Sequence, residues 1–586
     1  MDLLKNEILP LVEQAAGGMG VDASLIPRML QPARELDQGD LSLPCFPFAK
    51  ALGMAPAAIA EQLCEAVPDH AAVESITAVN GYLNIRASPA WLADQLLAGN
   101  HRSADGKRRE VLIEHTSANP NGPFHVGRAR NAILGDTLVR LHRLWGNGVT
   151  AEYYVDDMGK QVAVLAWALE NMTSEEVETL LADREPANPQ WKEKADHQRV
   201  RWYQAAQLRR KDDAGAEQIE KDIGALVHAS EHGDEAVLRS FENAYQPVLD
   251  GMLETLGRLG IHFDRFTKES LFVINGDVAN LMDELGDLDI NGVAENGAQF
   301  LDLGQRGLKG KTEFFYRRGD GSSLYATRDI AYHRWKWTQC NELINVLGED
   351  HKLQAQQVGL TLEELGERRP EVMFYSFIKL PEGKMSTRRG NVVFMDDLLE
   401  EAQAHAIEVL KERRPELDDD SMATIAEAVG TSAVRFNIIS VSPEKGFTFR
   451  WEDALSFEAG SAPFIMYSHT RACSIRSKVE ALGKVDAAQS DVTIGDSSDM
   501  PAGLVQLLRT LAVHDDRLEK VVREHRPNLF AEYMLHLATA YNSFYRDCYI
   551  ISEGEVNPFF YAVSELARST LKDGMEGLGV VPLTTM

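Results

Sequence analysis

The chain has 586 residues, 44% of them hydrophobic and 25% charged. At roughly 150 residues per domain the length implies two to four domains, and the composition excludes a disordered chain, a collagen-like repeat or a disulfide scaffold. The net charge of −29 favours solubility and argues against a general basic coat for nucleic acid, although a local basic track suffices to bind one.

No apolar run approaches the roughly 18 residues needed to span a bilayer, so no membrane association is expected. The opening, MDLLKNEILPLVEQAAGG, has acids within its apolar stretch and reads as an amphipathic helix rather than a signal peptide. Cys45, Cys64, Cys340, Cys473 and Cys548 are far apart and form no CxxC pair. That spacing speaks against zinc and for a reducing, cytoplasmic setting.

Residues 1–107 read as a small α/β unit, with helices over Asp2–Ala16 and Ala55–Val67 and one strand over Val79–Ile85. The polar stretch Gly99–Arg109 marks a boundary. Residues 108–415 read as the next domain. It opens with Val111–Glu114, an apolar run suited to a buried strand. A turn-rich stretch leads into a helical pattern over His125–Gly146, then a second strand at Val149–Val155. Strand, glycine-bearing turn and helix open a nucleotide-binding α/β unit. Residues from about 172 to 260 are charged and helical, an insertion between two halves of that unit. Sheet-like sequence returns at Ala298–Leu303, Lys311–Arg318, Leu343–Asp350 and Val372–Leu380. Residues 416–586 are almost wholly helical, with a linker-like break at Lys484–Pro501.

Three patterns carry chemistry. In PFHVGRARN, a histidine, a glycine and a cation stand where a helix begins, and a helix N-terminus offers unpaired N–H groups suited to phosphate. Gly127 would leave bare backbone for a base or ribose. Alone, the same letters also read as a helix start with surface polar residues. In LPEGKMSTRRGNVV, a glycine-flanked lysine and two arginines can neutralise a polyphosphate. In SLYATRDIAYH, Tyr325 and Asp329 are four residues apart and share a helix face. A carboxylate beside a tyrosine hydroxyl matches the planar fork of a guanidinium. From spacing alone, Asp329 also reads as an acid that stabilises the helix dipole.

HVGR and KMSTR resemble the two signature motifs of class I aminoacyl-tRNA synthetases. EHTSANPNGPFHVGRARNAILGD, YYVDDMGKQ, SLYATRDIAY, LPEGKMSTRRGNVVFMDDLL and FEAGSAPFIMYSHTRACSI resemble the arginyl family in order and spacing. The resemblance implies an α/β fold, with a Rossmann-type parallel-sheet catalytic domain, a small α/β N-terminal domain touching the outer corner of tRNA, and an all-α C-terminal anticodon-binding domain. It implies an ATP-dependent ligase that makes arginyl-adenylate and passes arginine to tRNA, with L-arginine, ATP, Mg2+ and the tRNA for arginine as partners, and a monomer. By resemblance, His125, Arg128 and Lys384 serve catalysis. His125, Gly127, Arg128, Lys384, Met385 and Ser386 meet ATP. Glu114, Asn119, Tyr325, Asp329 and His351 meet arginine. No protein metal site is expected.

Two letters depart from the signatures. Arg128 replaces the second histidine of the first, and Thr387 the second lysine of the other, leaving Arg388 or Arg389 to supply that cation. In the last third, Arg471, Arg476, Lys478, Arg517, Lys520, Arg523 and Arg526 form local basic tracks. Of the aromatics nearby, Tyr533, Tyr541, Phe544 and Tyr545 are expected in the core and Tyr467 stands apart. Two other readings remain at this point: a class I synthetase for another amino acid such as cysteine, and a catalytically silent tRNA-binding paralogue.

Overall fold

The computed structural model describes residues 1–33, 38–100, 108–183, 189–212, 215–379, 393–456, 460–485 and 492–586. Lys384, Met385, Ser386, Thr387, Arg388 and Arg389 lie outside the described residues.

The N-terminal unit packs helix Pro56–Ala66 on a four-stranded antiparallel sheet, with helix Asp2–Gly18 in the same core. Its strands β1 (Gln31–Pro32), β2 (Leu41–Pro44), β3 (Val73–Val79) and β4 (Tyr82–Ala87) run in the order β1-β2-β4-β3. Leu4, Ile8 and Val12 recur at helical spacing and are fully buried against Leu41, Leu43, Leu83 and Ile85. The single strand expected at Val79–Ile85 is instead a hairpin. Asn80 and Gly81 take φ of 51° and 82° and turn the chain between β3 and β4. Asn-Gly is the pair that accepts two positive φ values in a tight hairpin turn.

The central sheet has five parallel strands. They are β5 (Glu110–Glu114), β6 (Gly148–Val155) and β7 (Arg265–Lys268), then β11 (Glu342–Gly348) and β12 (Glu371–Tyr375). Between β7 and β11 lies a separate antiparallel sheet of β8 (Asn291–Val293), β9 (Gln299–Asp302) and β10 (Glu313–Arg317). The parallel order is β12-β11-β5-β6-β7, with Ile113 in register with both Ile344 and Ala151. The chain moves outward from β5 in one direction, then returns to its other side. The crevice at the carboxyl ends of β5 and β11 is therefore the switch point where such sheets take ligands. The helices expected between the two halves lie at Ser174–Leu180, Ala195–Asp212, Ala216–Glu231 and Glu235–Arg258.

Helix Val126–Leu144 follows β5 and is the centre of the molecule. Leu134 and Leu138 pack on Val111, Ile113 and Ile344 of the sheet, while Leu141 and Leu144 face Gly577 of the C-terminal helix Pro558–Leu578. Arg435, fully buried on helix Asp419–Ile439, reaches Asp136 on the central helix at 2.6 Å and donates to the carbonyl of Leu259 at 2.9 Å. Gly579 has φ of +67°, and a Cβ there would sit 2.3 Å from the Arg435 guanidinium, so glycine alone fits. The apolar core is continuous from the catalytic helices into the C-terminal bundle. Tyr533, Tyr541 and Phe544 are buried in it. Tyr545, expected among them, is 38% exposed. It follows Phe544 by one residue, about 100° around the helix, and so falls off the buried stripe.

Burial pushes the Asp136 carboxyl up, but Arg435 and Arg140 outweigh it and hold the group below the ordinary aspartate range. Its stabilisation is therefore complete above the unfolded aspartate value and is lost as pH falls through the lowered folded one. Asp136→Asn strands a buried guanidinium and should cost about 3–5 kcal/mol. Urea unfolding at neutral pH reads this directly, and an unshifted midpoint would rule it out.

Candidate active site

His125 is the residue before helix Val126–Leu144 and has an extended backbone, φ −102° and ψ 152°. That conformation lets it pair antiparallel with Phe394. The Val126 N–H donates to Val393 at 3.0 Å, and the Met395 N–H to Phe124 at 2.8 Å. The helix start is thus tied to the chain just beyond residue 392. Burial, assisted by Arg128, pushes the His125 imidazole down to about 4, so it is neutral near pH 7 and acts as a hydrogen-bonding group, not a cation. A Cβ on Gly127 would lie 2.9 Å from His125 Nδ1. The bare backbone at Gly127 therefore accommodates the imidazole of His125 before it accommodates any ligand.

Arg128 is half-buried; its backbone N–H donates to the His125 carbonyl at 3.0 Å, but its guanidinium makes no hydrogen bond or ion pair with any described residue. Burial pulls its guanidinium below the ordinary value, with Tyr153 and Tyr375 opposing. A partly desolvated cation with no protein counter-charge is a site for an anion.

The second part of the site lies across the switch point. Helix Tyr325–Trp337 places Tyr325 and Asp329 one turn apart on one face, as their spacing requires. Tyr325 is half-exposed and covers Arg328 at 4.6 Å. The Asp329 carboxylate is 3.1 Å from His333 Nδ1. Burial pushes it up, yet His333, Lys336 and His351 together hold it below the ordinary range, ionised at neutral pH. Glu114 at the end of β5, Asp329 and His351 line one cavity with His333, Asn345 and Val372. Asn119 and Tyr325 are not among its lining residues. Asn119 donates to Gln161 at 3.1 Å, and Gln161 also holds Asn121 at 2.8 Å.

Glu114 is not a free acid opposite Asp329. The fully buried Lys336 holds it at 2.6 Å and also reaches Asn345 at 3.1 Å. His333 Nε2 is 2.7 Å from the Asn345 amide. Lys336, His333, Asn345 and Gln161 were not singled out from the sequence. The signal was available on the helix, where positions 329, 333 and 336 extend the Tyr325 stripe at steps of four and three. After β5, Thr116 and Ser117 take positive φ of 68° and 38°. The Thr116 N–H donates to Asn131 at 2.6 Å, and Asn131 in turn donates to Val346 at 2.9 Å. Such conformations cost of order 1–3 kcal/mol each and persist where surroundings enforce them.

Two acid-and-imidazole trios exist among the described residues. In Asp196–His197–Asp396 the cation is already supplied, since Lys194 lies 3.1 and 2.9 Å from the two carboxylates. Glu342 and Glu371 of the other trio begin β11 and β12, at the end of the sheet away from the site. Neither offers an open site for a divalent ion beside Arg128.

Residues 92–451 match the family model for the class I (R) tRNA synthetase catalytic domain. Residues 465–586 match the DALR anticodon-binding domain, and residues 3–87 the arginyl-tRNA synthetase N-terminal domain. The chain belongs to the class I arginyl-tRNA synthetases. The synthetase is 39% identical to an arginine–tRNA ligase of Methanocella arvoryzae, over 93% of each chain. It is 37% identical to one of Archaeoglobus fulgidus, over 94% of this chain and 96% of that one. Among solved structures it resembles Thermus thermophilus arginyl-tRNA synthetase with a TM-score of 0.78 and 25% identity, covering 99% of this chain and all of the other.

The low His125 value makes a prediction for the synthetase. Between pH 6.5 and 4 an unfolded histidine binds a proton that the folded His125 does not, so this group's contribution to stability is lost as pH falls through that window. Nitrogen-15 shifts of labelled histidine, assigned with His125→Gln, should place its titration near 4. A midpoint at 6.5 or above would remove the neutral-donor role.

Proposed function

We propose that the synthetase activates L-arginine with ATP at this crevice and transfers it to the 3′ end of its tRNA. The observation that carries the reading is Asp329, ionised in a cavity at the sheet's switch point, on the same crevice as Arg128, whose guanidinium has no counter-charge among the described residues. One half suits a cation and the other an anion. The arginine carboxylate attacks the α-phosphate of ATP, forming arginyl-adenylate and releasing pyrophosphate. Arg128 and Lys384 neutralise the phosphoryl oxygens and neutral His125 donates to one of them. Gly127, Met385 and Ser386 complete the nucleotide contacts. The 3′-terminal ribose hydroxyl then attacks the adenylate carbonyl and AMP leaves. Such a site works by positioning and by electrostatics. Magnesium would accompany the triphosphate as its counter-ion.

Asp329 receives the guanidinium in the cavity it shares with Glu114 and His351, and Tyr325 and Asn119 meet the substrate from beside that cavity. Lysine is rejected because a compact ammonium cannot fill a two-pronged site, and leaving polar partners unpaired costs on the order of 1–3 kcal/mol. Residues 1–107 serve the outer corner of tRNA, 108–415 the chemistry and 416–586 the anticodon. The synthetase acts as a cytoplasmic monomer. Its cysteines are unpaired, as a reducing compartment favours, and no helix among the described residues is long and apolar enough to cross a membrane.

For the anticodon end, Tyr467, Arg471 and Tyr545 form a stack, with Arg471 4.8 and 4.6 Å from the two rings. Tyr467 is 44% exposed, and Tyr549 beyond it 79%. Bases of single strands stack on such platforms. Arg476 is already engaged by Glu480 and Glu565, both at 2.9 Å.

Pyrophosphate exchange with arginine, run with and without tRNA, tests the whole reading; exchange driven by a different amino acid, or by none, would defeat it. Asp329→Asn should raise the KM for arginine roughly ten- to a hundredfold, the equivalent of about 1.5–3 kcal/mol, and leave that for ATP nearly unchanged. Equal effects would remove Asp329 from the arginine pocket. Tyr545→Ala should weaken tRNA by about 1–3 kcal/mol while sparing the KM for arginine, as aminoacylation kinetics would reveal.

A further inference from the structure

Arg130, the second arginine of HVGRARN, takes no part in the chemistry above. It is fully buried, and no described carboxylate forms an ion pair with it. Its two Nη groups donate to main-chain carbonyls instead, and its Nε has no partner among the described residues. Nη1 donates to Ser376 at 2.5 Å and to Lys445 at 2.7 Å, and Nη2 to Ser442 at 2.8 Å. The guanidinium lies over Phe447 at 5.4 Å.

Those carbonyls surround one place in the chain. Ser376 is the first residue after β12, and its N–H donates to Pro443 at 2.9 Å. Its hydroxyl lies 2.8 Å from both the Glu349 carboxylate and the Glu444 carbonyl. Strand β13 (Ile378–Lys379) then pairs in parallel with β14 (Phe447–Thr448), and the chain passes on to the residues that include Lys384. It returns at Val393, bound to Val126, and at Met395, bound to Phe124. Asp396 is held by Lys194 at 2.9 Å, His197 at 3.0 Å and Thr255 at 2.8 Å. The start of one helix therefore holds both roots of that segment and carries His125 and Arg128 as well.

We propose that Arg130 is a positioning residue of the ligase reaction: by gripping the carbonyls of Ser376, Ser442 and Lys445 it fixes the root of the Lys384 segment relative to His125 and Arg128. Its consequence for rate rests on the ligase reading; its geometry does not. Three carbonyls from two separate stretches of chain call for a planar fork, which lysine cannot supply. A buried cation without a carboxylate is a costly way to fill space that methionine would fill.

Arg130→Lys keeps the charge, and Arg130→Met removes it, so that at least one variant avoids a stranded cation. In pyrophosphate exchange, turnover should fall about tenfold to a hundredfold, as small misplacements do, with the KM for arginine within about twofold of wild type. Amide hydrogen exchange at Phe377–Lys379 should quicken about tenfold while helix Pro558–Leu578 keeps its protection. Unchanged turnover, unchanged exchange at 377–379, or turnover and arginine KM moving together with lost protection throughout the chain would each overturn the proposal. The exchange measurement needs no substrate, so failure of the clamp is separable from failure of the ligase reading.

Discussion

A helix with most of its residues buried demands partners for the polar groups it carries, because an unpaired one costs more than a packed apolar residue gains. Helix Val126–Leu144 is such a helix: 13 of its 19 residues are buried, Arg130, Asp136, Thr137 and His142 among them. Asp136 draws in Arg435 from the C-terminal bundle. Arg130 draws in the chain after β12. Asn131, half-buried, draws in the strained turn after β5 and the edge of β11. Three remote pieces of the molecule are thus drawn onto one helix by its buried polar groups, of which only Arg130 Nε and His142 Nε2 lack a partner among the described residues.

That constraint also sorts the charges. Of the two arginines in HVGRARN, Arg130 has both Nη groups hydrogen-bonded inside the protein, while the Arg128 guanidinium has no partner among the described residues. His125 is held neutral by burial. Across the crevice, Lys336 takes up Glu114, and Asp329 remains ionised under the combined field of His333, Lys336 and His351. Among the described residues the crevice thus presents two points of opposite sign, Arg128 and Asp329, as a zwitterionic, cationic amino acid beside a triphosphate requires.

Much of this was legible in the chain. The strand–turn–helix opening, the helix face shared by Tyr325 and Asp329 and the helical last third follow from local periodicity, which needs only neighbouring residues. Failures came where the cause was not local. Lys336 meets Glu114 across 222 positions, and Arg130 meets Ser376 across 246. No periodicity encodes such encounters. The positive φ values at Thr116 and Ser117 fall on residues that give no glycine signal. The hairpin at Asn80–Gly81 was local and readable, but the apolar residues on both sides of it made one strand look continuous. Gly127 was read as room for a ligand, while the nearest claimant to its space is the ring two residues before it.

The net charge of −29 sets the last constraint. A strongly anionic chain repels polyanions at long range, so any that it holds must be held by short-range contacts. Desolvation serves this end at Arg128: a partly desolvated cation with no carboxylate partner among the described residues exerts a stronger field at a few ångströms than a solvated lysine on the surface. Stacking serves it at Tyr467, Arg471 and Tyr545, because contact between a base and a ring face does not depend on the sign of the surrounding field. The local basic residues of the C-terminal bundle need supply only a few phosphate contacts, and few contacts give a shallow dependence on salt. Burial and stacking thus let an acidic protein handle nucleotides without becoming a basic one.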